Sequence, residues 1–261
     1  MAARSEMEEL RAFCEGLADA SGRLIREASR GALAGDAKGD GSPVTAIDRA
    51  VEDRLREMIA EAYPDHGIVG EERGASATER EFVWVLDPID GTLPFLAGIP
   101  VYGTLIALLR DRAPLLGVID MPATGERWIG CAGLPTTRNG APVRARACQS
   151  LSNALLSTSN PDFYGEADWR VFRRLAAETH WSVYGGSCMA YAQIASGRID
   201  VGIDVAFEPF DYLALVPVVA GAGGVVSDWA GEPLSLDSGD RFIAAGDARV
   251  HAQALEILSR A

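Results

Sequence analysis

The sequence contains few cysteines and almost no lysine, and these shortages exclude several classes of protein. Four cysteines occur in 261 residues without C-x-x-C spacing, so the sequence encodes neither a zinc knuckle nor a disulfide framework. We expect the thiols to be reduced and mostly buried. Lys38 is the single lysine, and the formal net charge is −13. Because this charge repels phosphate backbones and anionic lipid surfaces, we expect no nucleic-acid partner and no membrane partner.

Long hydrophobic runs are also missing. The longest apolar stretches, residues 101–109 and 212–226, are shorter than the roughly 20 residues of a membrane helix, and Gly and Pro interrupt the second. The first residues carry mixed charges and lack the apolar core of a secretory signal, so we expect a cytoplasmic protein. With 48% apolar residues, the chain is predicted to form one large domain or two packed halves.

Hydrophobic periodicity divides the chain into helices and strands. The pattern predicts a helix over residues 6–30, a mobile Gly-rich loop over 31–42, and a second helix whose first turn has capping-box spacing from Thr45 to Asp48. Strands are predicted at 82–86, 101–109 and 115–119, and an Asn139-Gly140 turn predicts a hairpin. The Arg-rich run 144–152 predicts a boundary between two halves, 1–147 and 148–261, and the second half alternates strands with helices.

A pair of carboxylates directly follows the first of these strands, in the sequence Asp87-Pro88-Ile89-Asp90-Gly91-Thr92. Two carboxylates around a Pro-containing turn can face one point in space, and Gly91 lets the backbone approach it closely. Such oxygens suit Mg²⁺, which takes its remaining ligands from water and substrate phosphate. A helix beginning near Thr92 would offer free amides to a phosphate oxygen. The alternative is that both aspartates only shape a turn.

Two further acidic segments favour the metal interpretation. Glu71 and Glu72 follow the apolar pair Ile68-Val69, and Asp211 lies at the predicted start of an apolar helix over 212–220. Solvated turn residues and a helix N-cap would explain each of them separately. If the carboxylates converge, however, each pair at 4 Å repels by roughly 1 to 4 kcal/mol, and a cation is the natural compensation.

Together these segments resemble the inositol monophosphatase superfamily. The resemblance rests on Gly70-Glu71-Glu72, on residues 84–92 and on Asp211 followed by the Gly-rich run 220–224. It extends from about Lys38 to Asp247. The resemblance implies a layered αβαβα sandwich of the α/β (α+β) class and a homodimeric, Mg²⁺-dependent phosphomonoesterase with two or three ions per site. The implied metal ligands are Glu71, Asp87, the Ile89 carbonyl, Asp90 and Asp211.

The resemblance also implies roles in catalysis. One Mg²⁺ would lower the pKa of a water that Glu71 and Thr92 orient towards phosphorus, and a second would stabilise the leaving alkoxide. Gly91 and Thr92 match the family's phosphate-binding turn. Asp48 matches the aspartate that holds the catalytic threonine. The role of Lys38, in the predicted loop, stays open.

Other motifs, including Ile119-Asp120-Met121-Pro122 and Tyr184-Gly185-Gly186, resemble most closely the bacterial histidinol-phosphate phosphatases of this superfamily. This implies hydrolysis of histidinol phosphate, with Asp90, Ser187 and Asp204 contacting the substrate. Those enzymes usually carry Asp where this chain has Ser187 and Glu where it has Asp204. Inositol monophosphatase and bisphosphate nucleotidase therefore stay as alternatives, as does a metal-binding protein without turnover.

Overall fold

The computed structural model describes residues 2–31, 33–39 and 43–259. Within these residues the chain forms eight α-helices and fifteen strands, arranged in two main sheets with helices on both sides and between them. The helices are α1 (Ala2–Ala28), α2 (Ala46–Ala62), α3 (Thr92–Ala97), α4 (Glu166–Glu178), α5 (Ser187–Ala195), α6 (Pro209–Tyr212), α7 (Leu215–Gly221) and α8 (Ala248–Leu258).

The first sheet has eight strands in the order β10-β9-β8-β7-β6-β5-β3-β4. Its pairings are antiparallel except for β3 with β5, which is parallel. In chain order the strands are β3 (Gly67–Gly70), β4 (Gly74–Ser76), β5 (Phe82–Asp90), β6 (Gly103–Arg110), β7 (Ala113–Met121), β8 (Glu126–Cys131), β9 (Thr137–Arg138) and β10 (Ala141–Pro142).

The second sheet has five strands in the order β12-β11-β13-β15-β14. β11 pairs in parallel with β12 and β13, whereas β15 is antiparallel to both of its neighbours. The strands are β11 (Leu155–Thr158), β12 (Trp181–Tyr184), β13 (Val201–Asp204), β14 (Val225–Ser227) and β15 (Phe242–Ala245). Because β12 lies at the edge of this sheet, one side of its backbone is open to pairing.

Side-chain alternation along β5 shows how the layers form. Trp84 and Leu86 pack with α1 and α2 in one core, whereas Val83 and Val85 face the opposite core with α5 and α7. A third core joins the far face of the second sheet to α4 and α8. Successive strand residues point to opposite faces, so a strand buried on both sides needs a continuous apolar run. The layers are thus helices, sheet, helices, sheet, helices, which confirms the predicted αβαβα sandwich.

Several local predictions are confirmed and others are wrong. Thr45 caps α2, and its side chain and that of Asp48 make the predicted capping box. The predicted loop over 31–42 instead contains β1 (Gly35–Ala37), which pairs with β2 (Pro43–Thr45) in a short hairpin; residues 32 and 40–42 lie outside the described part. The predicted helix over 212–220 is two shorter helices, α6 and α7, because the chain turns between them.

The division into halves 1–147 and 148–261 stays a prediction. The two sheets fall on either side of residue 147, but the core between them contains side chains from both, such as Leu105 of β6 and Tyr191 of α5. All four cysteines are free and buried, as expected. No helix in the described part of the chain is long and apolar enough to cross a membrane.

Candidate metal centre and active site

Asp87 and Asp90 lie at the end of β5, where the strand leaves the sheet. A carboxylate oxygen of each lies within 4.8 Å of the other and of one from Asp211. The three side chains come from two elements, β5 and α6, that are far apart in sequence and packed against each other. The sequence-predicted convergence of these three aspartates is therefore present in the structure.

Asp211 is held by the first turn of α6. The cap of this helix is Glu208, and its backbone N–H donates to Asp211 Oδ2 at 2.7 Å. Asp211 is therefore the third residue of the helix. The simpler alternative, in which Asp211 is the N-cap, is wrong. The contact fixes one carboxylate oxygen of Asp211 and leaves the other for a ligand.

Glu71 reaches the same region through the parallel pairing of β3 with β5. Gly70 lies opposite Leu86 in this pair, so the residues that follow, Glu71 and Asp87, emerge at the same end of the sheet. The Glu71 amide also donates to the Leu86 carbonyl at 3.2 Å. Lys38 Nζ lies 2.7 Å from Glu71 Oε1 and 2.7 Å from Glu72 Oε1. Lys38 thus contacts a predicted ligand directly.

Thr92 is the first residue of α3, and its hydroxyl lies between two oxygens. Oγ1 is 3.2 Å from the Ile89 carbonyl and 3.5 Å from Asp48 Oδ1. The other oxygen of Asp48 accepts hydrogen bonds from the amide and hydroxyl of Thr45, at 2.8 and 2.5 Å. One aspartate therefore caps α2 and faces Thr92 at the same time. Gly91 precedes the helix with φ +83°, a conformation that favours glycine.

Charge and burial at the site are those of a cation-binding centre. Asp87 Oδ1 is buried and has no hydrogen-bond partner among the described residues, although buried polar atoms are normally paired. Burial raises the pKa of Asp87, and the charges of Glu71 and Asp90 raise it further. Burial likewise raises the pKa values of Glu71, Asp90 and Asp211. An unpaired buried oxygen among carboxylates fits a hard cation such as Mg²⁺.

Ser187 lies next to the turn at Gly91. A Cβ atom at Gly91 would be 2.8 Å from Ser187 Oγ, so the two residues are in contact. The following amide, of Cys188, donates to Asp90 Oδ2 at 2.6 Å. The sequence did not predict this contact. Ser187 adopts a left-handed backbone conformation with φ +44°, which is uncommon for serine and cannot be recognised from its residue type. The start of α5 therefore borders the cluster of carboxylates.

Asp204 is placed differently from its prediction. It is fully buried, and its carboxylate accepts from the Thr158 hydroxyl at 2.8 Å, the Ser159 amide at 2.9 Å, the Ser159 hydroxyl at 2.8 Å and the Tyr191 hydroxyl at 2.5 Å. Direct contact between Asp204 and a substrate does not fit this arrangement. The carboxylate instead ties β11 to α5. Burial raises its pKa to about 6.

Comparison with known proteins decides the family. The family model described as the inositol monophosphatase family matches residues 6–261. The chain belongs to the inositol monophosphatase family. Its members are metal-dependent phosphatases, so the chain is a phosphoric monoester hydrolase.

Individual relatives carry different names. The bifunctional phosphatase IMPL2 of Arabidopsis thaliana, named as chloroplastic, is 42% identical over 97% of this chain and 76% of its own length. A histidinol-phosphatase of Chlorobaculum parvum is 32% identical over 89% of this chain and 90% of its own. The solved structure of an inositol monophosphatase from Zymomonas mobilis superposes with a TM-score of 0.89 at 37% identity, covering 97% of this chain and 98% of that one. Because these relatives are named for different activities, they do not identify the substrate of this chain.

Proposed function

We propose that this phosphatase hydrolyses histidinol phosphate to histidinol and inorganic phosphate. The observation that carries the proposal is the charge around the site. Among the described residues, Lys38 forms ion pairs with acidic side chains at the site, and both of its contacts are glutamates. The exposed Glu208, whose amide contacts Asp211, adds a nearby carboxylate that is not among the proposed metal ligands. A substrate that carries a cationic amine matches such surroundings through charge-assisted hydrogen bonds.

Inositol phosphate is the second candidate. The residue beside Gly91 is Ser187, whose neutral hydroxyl suits another hydroxyl as well as an amine. The burial of Asp204 removes a second carboxylate from the region where an amine would bind. The inositol monophosphatase of Zymomonas mobilis is a relative in agreement with this candidate. A bisphosphate nucleotide is less suitable, because its additional phosphate would meet carboxylates.

We propose that Asp87, Asp90, Asp211, Glu71 and the Ile89 carbonyl hold two or three Mg²⁺ ions. When bound, Mg²⁺ neutralises phosphate charge and makes water more acidic. The short separations among the carboxylates and the unpaired Oδ1 of Asp87 support this ligand set.

The chain's own groups then orient the nucleophile. A hydroxyl has one proton, so Thr92 Oγ1 donates to either Asp48 or the Ile89 carbonyl and keeps lone pairs to accept from water. Glu71 can accept the other proton of that water as general base. We propose that the amides of Gly91 and Thr92, at the start of α3, donate to phosphate oxygens.

A substrate panel tests the proposal. Metal-free enzyme should be inactive, and Mg²⁺ should restore release of phosphate. Among histidinol phosphate, inositol 1-phosphate, adenosine 3′,5′-bisphosphate and glycerol phosphate, the first should have the highest kcat/KM. A higher value for inositol 1-phosphate would favour the second candidate. Activity that survives exhaustive chelation would contradict the metal-dependent mechanism itself.

We also propose that the protein is a cytoplasmic homodimer. The edge strand β12 exposes Trp181, Val183 and Tyr184, with 68%, 40% and 48% of their surfaces accessible. An apolar sheet edge of this kind supports self-association. Four free buried thiols agree with a reducing compartment. Light scattering should give the dimer mass, and Trp181→Ser should shift the protein towards monomer.

A further inference from the structure

The metal-binding motif contains an irregularity in the pairing of β5 with β6. Asp87 lies opposite Leu105 and Asp90 opposite Gly103, so three steps along β5 correspond to two along β6. Pro88 and Ile89 together face one residue, Thr104. Two residues opposite one define a β-bulge. The motif is therefore built on a bulge and not on a regular strand.

The bulge explains how two carboxylates three residues apart reach one point. In a regular strand successive side chains alternate, so residues i and i+3 point to opposite faces. One extra residue reverses this alternation beyond the bulge. Asp87 and Asp90 consequently offer oxygens within 4.8 Å of each other. Convergence of the ligands depends on keeping the bulge.

Two buried hydroxyl side chains, Thr104 and Ser21, form a chain of hydrogen bonds to the backbone of the bulge. The Thr104 hydroxyl donates to the Pro88 carbonyl at 2.8 Å. Thr104 Oγ1 also contacts Ser21 Oγ of α1, and both residues are fully buried. Since the single Thr104 proton goes to Pro88, Ser21 is the donor in this second contact. The order is therefore Ser21 to Thr104 to the Pro88 carbonyl.

We propose that Thr104, supported by Ser21, is a positioning residue that holds the β5 bulge in the form that brings the metal ligands together. The proposal rests on the metal site described under the proposed function. Thr104 is fully buried and is not one of the proposed metal ligands or substrate-binding residues. Its hydroxyl holds the carbonyl of the Pro88–Ile89 peptide, so its loss lets the bulge shift and the ligands separate. The consequence is weaker metal binding, beyond any loss of stability.

The test compares Thr104→Val with two other threonine variants. Thr104→Val keeps the shape and removes the hydroxyl, whereas Thr104→Ser keeps the hydroxyl. Thr136→Val is the matched control, because Thr136 is also fully buried and its hydroxyl donates to a carbonyl, that of Val218, at 2.7 Å in contact with α7. Mg²⁺ affinity is measured by titration calorimetry on metal-free protein, and Tm is measured without metal.

Thr104→Val should weaken Mg²⁺ binding by about tenfold or more, the range seen when a residue behind a metal ligand is removed. Thr104→Ser should restore near-normal affinity. Thr136→Val should lower the metal-free Tm to a similar extent while binding Mg²⁺ normally. If Thr104→Val does not fold, Ser21→Ala, which frees the Thr104 hydroxyl to rotate, should still weaken Mg²⁺ binding, by less than the about tenfold expected for Thr104→Val.

Two results would overturn the inference. One is normal Mg²⁺ affinity in folded Thr104→Val, or in Ser21→Ala where only that variant folds. The other is an equal loss of affinity in Thr136→Val, which would make the effect one of general stability. Failure of the wild-type protein to bind Mg²⁺ is a separate outcome, since it would refute the proposed metal site.

Discussion

Replacing Asp87 by Asn should change stability and activity in opposite directions: the metal-free protein should become more stable, and kcat should fall. Asp87 is buried, and its Oδ1 has no hydrogen-bond partner in the part of the chain that the structure describes. One of its carboxylate oxygens lies within 4.8 Å of an oxygen from Asp90 and of one from Asp211. At an effective dielectric constant of 20, two ionised carboxylates at that separation repel by about 3.5 kcal/mol. Asn keeps the shape and removes the charge that takes part in two such pairs.

The repulsion is partly relieved by protonation, because burial already raises the pKa values of the three aspartates. We therefore expect metal-free Asp87→Asn to gain about 1 to 3 kcal/mol in free energy of unfolding, less than two full pairs would give. In contrast, kcat with Mg²⁺ should fall at least about a hundredfold, since a key electrostatic group is lost.

The assay is urea denaturation of chelator-treated protein at pH 7.5, repeated with Mg²⁺. Wild type should be stabilised by Mg²⁺, whereas Asp87→Asn should be more stable than wild type without metal and should gain little from Mg²⁺. Asp65→Asn, at an exposed position, makes the same change in net charge and serves as control. A metal-free Asp87→Asn protein less stable than wild type would refute the reasoning, because repulsion would then not dominate at this site.

Three other predictions concern pH, Ser187 and Asp204. Carboxyls whose pKa is raised by folding bind more protons in the native state, so metal-free wild type should gain stability as pH falls from 8 towards 6, with a shallower slope in Asp87→Asn, measured by Tm. Ser187→Asp should raise kcat/KM for histidinol phosphate relative to inositol 1-phosphate by roughly five- to thirtyfold, and glycerol phosphate should show no such gain. Asp204→Asn should lower the free energy of unfolding by about 2 to 3 kcal/mol, because the donors around this carboxylate lose an acceptor. A changed KM with an unaltered Tm would instead support direct contact between Asp204 and the substrate.

Much of the fold could be predicted because its signals are local. The apolar run 82–86 identifies a strand buried on both faces, and Thr45 with Asp48 identifies the start of α2. Strands β1 to β4, β8, β12 and β15 and helix α8 were not predicted. β12 is four residues long and largely exposed, so hydrophobic periodicity does not reveal it. Its pairing with β11 is a tertiary interaction that no short window contains.

The site residues also differ in how far local sequence predicts them. Residue types and spacing marked Asp87, Asp90 and Asp211 as metal ligands, and the structure brings them together. Asp204 shows where such reasoning fails. A carboxylate seven residues before Asp211 is compatible with substrate contact, yet the hydroxyls that enclose it come from β11 and α5, 13 to 46 residues away in sequence. Burial of one side chain by distant donors is decided by packing, which spacing alone does not encode.

The spacing of the two β5 aspartates is itself informative once the bulge is known. An i, i+3 pair of ligands on a regular strand would lie on opposite faces of the sheet, and a regular helix is excluded here because Pro88 and the ladder with β6 hold the chain extended. Convergence therefore required an extra residue in β5, and the sequence alone does not say which neighbour would stabilise it. The structure supplies Thr104, whose hydroxyl meets the Pro88 carbonyl opposite the bulge. A motif defined by its carboxylates thus depends on a hydroxyl 14 residues beyond its second aspartate, on a different strand.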